Sequence, residues 1–155
     1  SAGTSSATEE RVVLVDANDN QIGTEEKVKC HLPNGMLHRA FTALLFESGG
    51  RLVLGRRAPG KMLWPGCWDG TFASHPREHE TYVSSCRRRM PEELGAQTAF
   101  DYLHKFEYHV PYKNVGSENE ICGTLIGTIA DTAEIFPAES EIDKVRPVSA
   151  TELGS

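Results

Sequence analysis

Short runs of hydrophobic residues recur along the chain, as in proteins built around one sheet. Each run is rich in Val, Leu, Ile or Phe, which favour extended structure. Two of them are joined by Ser-Gly-Gly (48–50), a hairpin signal. The predicted strands are 11–16, 38–47, 51–57, 100–110, 121–130 and the first part of 144–153, which then runs into the start of a helix.

One longer segment, from about residue 78 to residue 94, has the spacing of a helix. A stripe of side chains recurs every four residues, at Tyr82, Cys86, Met90 and Leu94. Gly95 is suited to cap its end, and Pro91 removes one backbone hydrogen bond, which predicts a kink or a loosened last turn. Strands, one helix and further strands predict an α+β fold, a mixed β-sheet packed by helices.

Length and composition fit one globular domain. The chain has 155 residues, 39% of them hydrophobic and 25% charged, enough for one core. We predict a single domain over residues 11–155 after a disordered leader, 1–10, which lacks the features of a secretory signal. No apolar run approaches the roughly 20 residues that span a bilayer, so no membrane partner is expected. Four cysteines without a CxxC pair predict free thiols and a cytoplasmic location.

The charge is negative overall but locally positive. The net charge of −6 argues against a nucleic-acid partner. Basic residues nevertheless cluster at Arg56, Arg57 and Lys61, and again at 87–89. A basic pocket in an acidic protein predicts a small anionic ligand, whereas two solvated surface faces are the simpler alternative. The oligomeric state is left open.

Three histidines and two glutamates are candidate metal ligands. His31 and His38 are seven residues apart, and His75 lies further along the chain. Glu118 and Glu120 share one side of an extended segment because strand side chains alternate. Imidazole and carboxylate donors together suit Zn²⁺, Mn²⁺ or Mg²⁺. Spacing alone does not show that the five converge, and a single histidine is more often an ordinary core or surface residue.

The helical segment carries a second pattern. From Ser74 onward it reads S-x5-E-x7-RRMxEExG. This resembles the box of the Nudix family, G-x5-E-x7-REUxEExGU, whose glutamates hold Mg²⁺ beside a diphosphate. Ser74 replaces the box glycine, and Arg89 replaces the first glutamate of the REUxEE run. A cation at a metal-binding position argues against an ordinary Nudix pyrophosphohydrolase.

Further motifs make the resemblance more specific. HLPNGMLHRAF, RRAPGKMLWPGCWDGTFASHP, RRRMPEELG, FEYHV and ENEIC, in this order, resemble the type I isopentenyl-diphosphate Δ-isomerases. These enzymes have a Nudix fold and convert isopentenyl to dimethylallyl diphosphate. The resemblance covers roughly residues 12–148 and implies an isoprenoid diphosphate as the small-molecule partner. It also implies Mg²⁺ as cofactor, with Mn²⁺ or Zn²⁺ at the site of three histidines and two glutamates.

The resemblance implies roles for individual residues as well. The metal ligands fall on His31, His38, His75, Glu118 and Glu120, and a second, substrate-bridging Mg²⁺ falls on Glu93. The diphosphate-binding residues fall on Lys27, Arg57, Lys61 and Arg89. Tyr108 corresponds to the tyrosine that assists protonation, and Glu120 is the expected proton donor. Because an indole face attracts positive charge, we also expect Trp68 beside the carbocation, with core packing as the alternative.

Two features depart from the family. Its catalytic cysteine falls on Ala73, whose methyl group has no proton to exchange, and Cys67 is six residues earlier. An introduced substitution, a native specialisation for a modified isoprenoid diphosphate and a binding-only pseudoenzyme are all open. The family also continues past the position of Ser155 with a tryptophan that covers the substrate, so this cover is supplied differently here or the chain is shortened. Nudix pyrophosphate hydrolysis and prenyl-diphosphate binding without turnover are the alternatives to isomerisation.

Overall fold

A computed structural model describes residues 10–32 and 35–153. Residues 1–9 of the predicted leader lie outside this range, and the boundaries of the single domain stay a prediction. No helix in the described ranges is long and apolar enough to cross a membrane. In chain order the elements are β1 (Arg11–Val15), β2 (Gln21–Glu26), α1 (Lys27–His31), β3 (His38–Glu47), β4 (Arg51–Arg57), β5 (Trp68–Asp69), β6 (Phe72–Ser74), α2 (Tyr82–Leu94), β7 (Phe100–Tyr112), β8 (Gly116–Ile129), a 3-10 turn (Thr132–Glu134), β9 (Ile142–Val148) and α3 (Ala150–Leu153).

β3 lies at the centre of a mixed sheet. It runs parallel to β8, from His38 opposite Glu120 to Glu47 opposite Ile129. On its other edge it pairs antiparallel with β6 and, further along, with β4. β7 pairs with β8, β9 with β4, and β2 with β1, all antiparallel. The predicted α+β fold with a mixed sheet is confirmed.

α2 packs the predicted apolar stripe onto this sheet. Cys86, Met90 and Leu94 are fully buried against a core that includes Phe41 and Leu125. Burying side chains of this size stabilises a fold by about 1.5–3 kcal/mol each. The stripe therefore holds α2, and the site residues that it carries, in a fixed position on the sheet.

α2 begins later than the sequence predicted, at Tyr82 rather than near residue 78. Thr81 caps it, since its hydroxyl accepts from the Ser84 backbone N–H at 3.0 Å while the Ser84 hydroxyl accepts from the Thr81 N–H at 3.0 Å. Just before the cap, His79 has a φ of 67°, which a continuing helix does not allow. The residues before Thr81 therefore form a loop.

Pro91 does not end α2. It leaves the Arg87 carbonyl without a backbone donor, and the Gln97 side chain supplies one, Nε2 to oxygen, at 3.3 Å. The helix continues to Leu94, where Gly95 has a φ of 63° and donates its N–H to the Pro91 carbonyl at 2.9 Å. Gly95 is the predicted C-terminal cap.

A buried carboxylate at the β1–β2 turn ties four elements together. Asp19 accepts hydrogen bonds from Arg39 Nε at 2.8 Å, Tyr82 Oη at 2.9 Å and Lys105 Nζ at 2.9 Å. These three donors come from β3, α2 and β7. Asp19 itself has a φ of 64°, a conformation that Asp and Asn tolerate better than other side chains. It thus fixes this turn against the sheet and α2.

Some elements differ from the predicted ones. β8 begins at Gly116, five residues before the predicted start at Ile121, and β2, α1, β5 and β6 were not predicted. The early part of β8 is polar but is held by pairing with β7, from Tyr112 opposite Gly116 onward. All four cysteines are free thiols, as predicted.

Candidate active site

Residues from distant parts of the chain line a cavity of about 420 Å³. α1, α2, six strands and the loop before β9 contribute side chains to it. Most of the predicted site residues line its wall: Lys27, His31, Arg57, Lys61, Ala73, His75, Arg89, Glu93, Tyr108, Glu118 and Glu120. The cavity is of the size that small-molecule sites usually have.

Three histidines and Glu120 converge at one side of this cavity. The nearest ligand atoms of His31, His38, His75 and Glu120 all lie within 4.8 Å of one another. Register brings two of them together, because His38 begins β3 directly opposite Glu120 of β8. His38 Nε2 lies 3.1 Å from Glu120 Oε2, and His75 Nε2 lies 3.6 Å from the same oxygen.

Hydrogen bonds orient two of the imidazole rings toward the cluster. His31 Nδ1 lies 2.7 Å from the Lys27 carbonyl, and His38 Nδ1 lies 2.9 Å from the Met36 carbonyl. A carbonyl accepts only, so Nδ1 carries a proton on both rings. Metal-binding histidines are held in this way by their second nitrogen. Burial lowers the pKa of His38, but its interactions with Cys30 and Glu120 outweigh this and raise it to about 10, so a cation that binds His38 Nε2 displaces a proton there.

The donor set fits a divalent cation. His75 Nδ1 is buried and has no hydrogen-bond partner among the described residues. Burial lowers the pKa of His75 to about 3 and so keeps the ring neutral, as a ligand must be. Ligand atoms that share one ion at about 2.1 Å lie roughly 3–4 Å apart. The observed separations, all within 4.8 Å, therefore need shifts of up to about 1 Å.

Glu118 stands outside this group of four and is joined to it through Tyr108. The Tyr108 hydroxyl lies 2.5 Å from Glu120 Oε1 and 2.9 Å from Glu118 Oε2. Glu118 and Glu120 share a face of β8, and Tyr108 is the cross-strand neighbour of Glu120 on β7. The role of Glu118 as a fifth metal ligand stays a prediction.

The two carboxyl groups differ in acidity. Burial raises the pKa of Glu118, and the charge of Glu120 raises it further. Burial acts in the same direction on Glu120, but hydrogen bonds from His38 and His75 outweigh it and lower its pKa. Burial, together with both negative charges, raises the pKa of Tyr108. The chain Glu118–Tyr108–Glu120 therefore favours a proton on Glu118 and on the Tyr108 oxygen.

The four predicted phosphate-binding cations all face the cavity, and three of them pair with carboxylates. Lys27 Nζ lies 3.6 Å from Glu10 Oε2, and Lys61 is ion-paired with Glu141. Arg57 differs, because its Nε donates to the Leu63 carbonyl at 2.8 Å. It has no ion pair with a described residue. An anion therefore binds Arg57 without displacing a carboxylate, whereas at Lys27, Lys61 and Arg89 it displaces one.

Arg89 pairs with two carboxylates at once. Its guanidinium nitrogens lie 2.5 Å from Glu93 Oε1 and 2.5 Å from Glu92 Oε2. Burial raises the pKa of Glu93 even with Arg89 beside it. Arg89 thus occupies the carboxylate that a hydrolase of this fold would use for metal. The role of Glu93 toward a second Mg²⁺ stays a prediction.

Ala73 exposes its methyl group to the cavity. It lies on β6, opposite Thr42 of β3, and lines the same wall as that residue. Cys67 is exposed and is not among the residues that line the cavity. The fold therefore does not bring Cys67 to the position that the resemblance assigns to a cysteine.

Trp68 lies away from the cavity, which corrects the expectation that it contacts substrate. Its ring is 42% exposed and packs under Arg56, with the guanidinium carbon 5.9 Å from the ring centroid. Side chains alternate along β5, so Asp69, not Trp68, points to the cavity.

The fold also brings in residues that the sequence analysis did not single out. Asp69, Glu141, Glu10 and Thr42 all line the cavity. Asp69 could not be found from the sequence, because the two-residue strand β5 that places it on the opposite face from Trp68 was not predicted. Glu141 and Glu10 had no local signal, because they reach the site only through the packing of distant loops.

Comparison with known proteins agrees with this architecture. The model of the NUDIX domain family matches residues 36–155. The crystal structure of DR0079 from Deinococcus radiodurans superposes with a TM-score of 0.75 at 22% identity, covering 93% of this chain and 86% of that one. The crystal structure of a MutT protein from Methanosarcina mazei Go1 superposes with a TM-score of 0.64 at 19% identity, covering 77% and 82%. These likenesses show the fold.

Sequence relatives are more specific. An isopentenyl-diphosphate Delta-isomerase from Haloarcula marismortui is 41% identical over 138 residues, 86% of this chain and 73% of its own length. An isopentenyl-diphosphate Delta-isomerase 1 from Photorhabdus laumondii is 41% identical over 119 residues, 76% and 68% of the two chains. One from Halobacterium salinarum is 41% identical over 126 residues, 79% and 59%. The chain therefore belongs to the Nudix family and, within it, to the type I isopentenyl-diphosphate Delta-isomerases.

Proposed function

We propose that this protein converts isopentenyl diphosphate to dimethylallyl diphosphate. One observation carries the proposal. A cluster of three histidines and Glu120 adjoins the Tyr108 hydroxyl in a cavity that four cationic side chains also line. The reaction adds a proton to the terminal carbon of the alkene, forms a tertiary carbocation and removes a proton from the neighbouring carbon. It therefore needs an anion site and two proton-transfer groups in one cavity.

The diphosphate is held by Lys27, Arg57, Lys61 and Arg89. Arg57 is the residue available first, since its guanidinium is tied only to a backbone carbonyl. Lys61 and Arg89 exchange part of their contact with Glu141 and Glu93 for phosphate oxygens. Charge-assisted hydrogen bonds of this kind are short and strong, so they fix the substrate by its polar end.

A divalent cation would be held by His31, His38, His75 and Glu120, with Glu118 as the fifth ligand that the resemblance implies. We propose Mn²⁺ or Zn²⁺ for this site, because imidazole and carboxylate donors together suit these ions, and Mg²⁺ at Glu93 beside the diphosphate. When bound, such an ion supplies Lewis acidity that stabilises negative charge on its ligands. The neutral state of His75 and the orientation of His31 and His38 favour this use.

The Tyr108 side of the cavity adds the proton. Tyr108 bridges Glu118 and Glu120. When its hydroxyl gives a proton to the alkene, Glu118, the carboxyl group that holds a proton, replaces it. Glu120, whose pKa is lowered, accepts a hydrogen bond from Tyr108 in this chain, so we assign the expected role of proton donor to Tyr108 and Glu118 in its place. Protonating an alkene requires an acid kept out of water, and Glu120 and Tyr108 are both largely buried.

Apolar side chains take the place expected for Trp68 around the hydrocarbon. Val28, Ala40, Met62 and Leu63 line the cavity. Leu63 is buried and Met62 is partly exposed at the rim. They bury the five-carbon chain and keep water from the carbocation, whose capture would give an alcohol in place of an alkene.

The test is turnover by the purified protein with Mg²⁺ or Mn²⁺. Proton NMR follows the appearance of two methyl groups on a trisubstituted alkene, and a phosphate assay follows hydrolysis. We expect the alkene product without phosphate release, and a loss of about 10²–10⁴-fold in Tyr108→Phe. Phosphate release from nucleoside diphosphate derivatives without isomerisation would indicate a hydrolase. Tight binding without turnover would indicate a prenyl-diphosphate-binding protein.

A further inference from the structure

We propose that Asp69 is the second proton-transfer residue of this site, the base that removes a proton where Ala73 offers only a methyl group. The inference rests on the proposed isomerisation, which needs a group on each side of the alkene. Ala73 cannot serve, and Cys67 lies outside the cavity. The carboxylate of Asp69 is the acceptor that the fold places beside Ala73.

The backbone brings Asp69 to the cavity wall. It is the last residue of β5 and lies opposite Gly55 of β4. A side chain at Gly55 would place its Cβ 2.6 Å from the Thr71 carbonyl, so only glycine lets the segment after Asp69 approach β4 this closely. Because β5 side chains alternate, this approach directs Asp69 toward the cavity and Trp68 away from it.

Asp69 differs from the other carboxylates that line the cavity. Glu10, Glu93, Glu118, Glu120 and Glu141 each contact a cation, an imidazole or the Tyr108 hydroxyl. Within the described residues, the one hydrogen bond to the Asp69 side chain comes from the N–H of Gly70, 2.8 Å from Oδ1. Asp69 is also exposed. Its second oxygen is therefore free to accept a proton from substrate and release it to water.

Asp69 also borders a space that Tyr108 and Glu120 do not line. Asp69 and Ala73 line both the main cavity and a small adjoining one of about 40 Å³, together with Arg57 and Lys61. Tyr108 and Glu120 do not line the small cavity. A substrate held by its diphosphate therefore presents to Asp69 the methylene that lies between its CH2–O carbon and the branched carbon. Its terminal carbon reaches toward Tyr108.

Thr42 is the competing candidate. It lies opposite Ala73 and also lines the cavity, and its hydroxyl is 3.3 Å from Cys122 Sγ. An aliphatic hydroxyl is a far weaker base than a carboxylate. Among the described residues, the side-chain partner of the Thr42 hydroxyl is the Cys122 thiol, and not a carboxylate or an imidazole that could activate it. A carboxylate needs no such activation.

The step balances without a further reactant. A proton from the Tyr108 side forms the new C–H bond at the terminal carbon and leaves a tertiary carbocation. Asp69 then takes a proton from the adjacent methylene, and the electron pair of that C–H bond forms the new double bond. Asp69 loses this proton to water, and the Glu118–Tyr108–Glu120 chain regains one from water.

Asp69→Asn tests this directly, with Asp101→Asn as the control because Asp101 is an exposed aspartate on β7 away from the cavity. In D₂O, Asp69→Asn should still place deuterium on the terminal carbon of isopentenyl diphosphate, since the carbocation forms and reverts. Dimethylallyl diphosphate should form about 10²–10⁴ times more slowly than in the wild type. Asp101→Asn should retain wild-type turnover.

Two further variants distinguish a proton-transfer role from a structural one. Added formate should restore turnover to Asp69→Ala, and Ala73→Cys should restore it to Asp69→Asn. Turnover of Asp69→Asn within threefold of the wild type would overturn the proposal, as would a loss shown by Thr42→Val and not by Asp69→Asn. A wild-type protein that binds isopentenyl diphosphate without converting it would instead overturn the proposed function itself.

Discussion

Replacing His75 with alanine should separate metal binding from the stability of the fold. His75 Nδ1 is buried and has no hydrogen-bond partner in the described part of the chain. Its removal takes away this unsatisfied atom together with the 3.6 Å contact between His75 Nε2 and Glu120, so the metal-free protein should lose no more than about 1–2 kcal/mol. The same substitution removes one of four converging ligands, so it should also reduce the stabilisation that metal provides.

The expected size follows from mass action. A cation at about 100 times its dissociation constant stabilises the folded state by about 2.7 kcal/mol. For a chain of 155 residues, each kcal/mol corresponds to about 2–4 °C in Tm, which gives a wild-type shift of about 5–10 °C. Loss of an outer-shell partner alone costs 10–100-fold in metal affinity, and loss of a ligand should cost at least the upper value. The same metal concentration then stabilises the folded state of His75→Ala by only about 0.4 kcal/mol, which raises its Tm by about 1–2 °C.

Thermal unfolding of wild type and His75→Ala, each with EDTA and then with Mn²⁺ or Zn²⁺, measures this directly. His104→Ala is the matched control, since His104 is exposed on β7 and lies outside the cluster. It should keep the full metal response. A wild-type protein whose Tm does not respond to Mg²⁺, Mn²⁺ or Zn²⁺ would refute the metal site, and so would an undiminished response in His75→Ala.

Three further outcomes are expected. Asp19→Ala should lower the free energy of unfolding, measured in urea, by about 2–4 kcal/mol because it leaves three donors unpaired. Asp19→Asn should lower it less, and equal losses in the two variants would contradict this account. Arg57→Ala should raise the dissociation constant for pyrophosphate about 10–100-fold in calorimetry, and an unchanged value would remove Arg57 from the anion site. At pH 8, iodoacetamide should modify the exposed Cys67, whereas Cys86 and Cys122 stay protonated because burial raises the pKa of each to about 12. Peptide mapping should find these two modified only as the pH nears 12 or the protein unfolds, and labelling as fast as that of Cys67 at pH 8 would contradict this burial.

The hydrophobic pattern was sufficient to predict those strands and helices that bury a continuous face. β3 and β4 have the predicted bounds, and α2 carries the predicted stripe and its Gly95 cap. β2 escaped prediction because QIGTEE has no apolar periodicity and lies at an edge of the sheet, paired with β1. The polar start of β8 was also not predicted, because its pairing with β7, and not its own composition, holds it extended.

The candidate site likewise contains residues that the sequence predicted and residues that it did not. Motif spacing pointed to His31, His38, His75 and Glu120, and the fold brings their ligand atoms together. Local sequence could not reveal the partners of the cations, because a pair such as Lys61 and Glu141 joins two loops that meet only after folding. Asp69, for which the sequence analysis made no prediction, lines the cavity where Trp68 was expected, because one residue along a strand changes the face of the sheet.

The central claim is that a proton enters the substrate at its terminal alkene carbon and another leaves from the methylene on the other side of the carbocation carbon. Turnover of isopentenyl diphosphate by the wild-type protein in D₂O, followed by NMR and mass spectrometry, tests it most directly. The account predicts dimethylallyl diphosphate whose new methyl group carries deuterium, with the diphosphate intact. Release of phosphate, or recovery of unlabelled isopentenyl diphosphate alone, would contradict it.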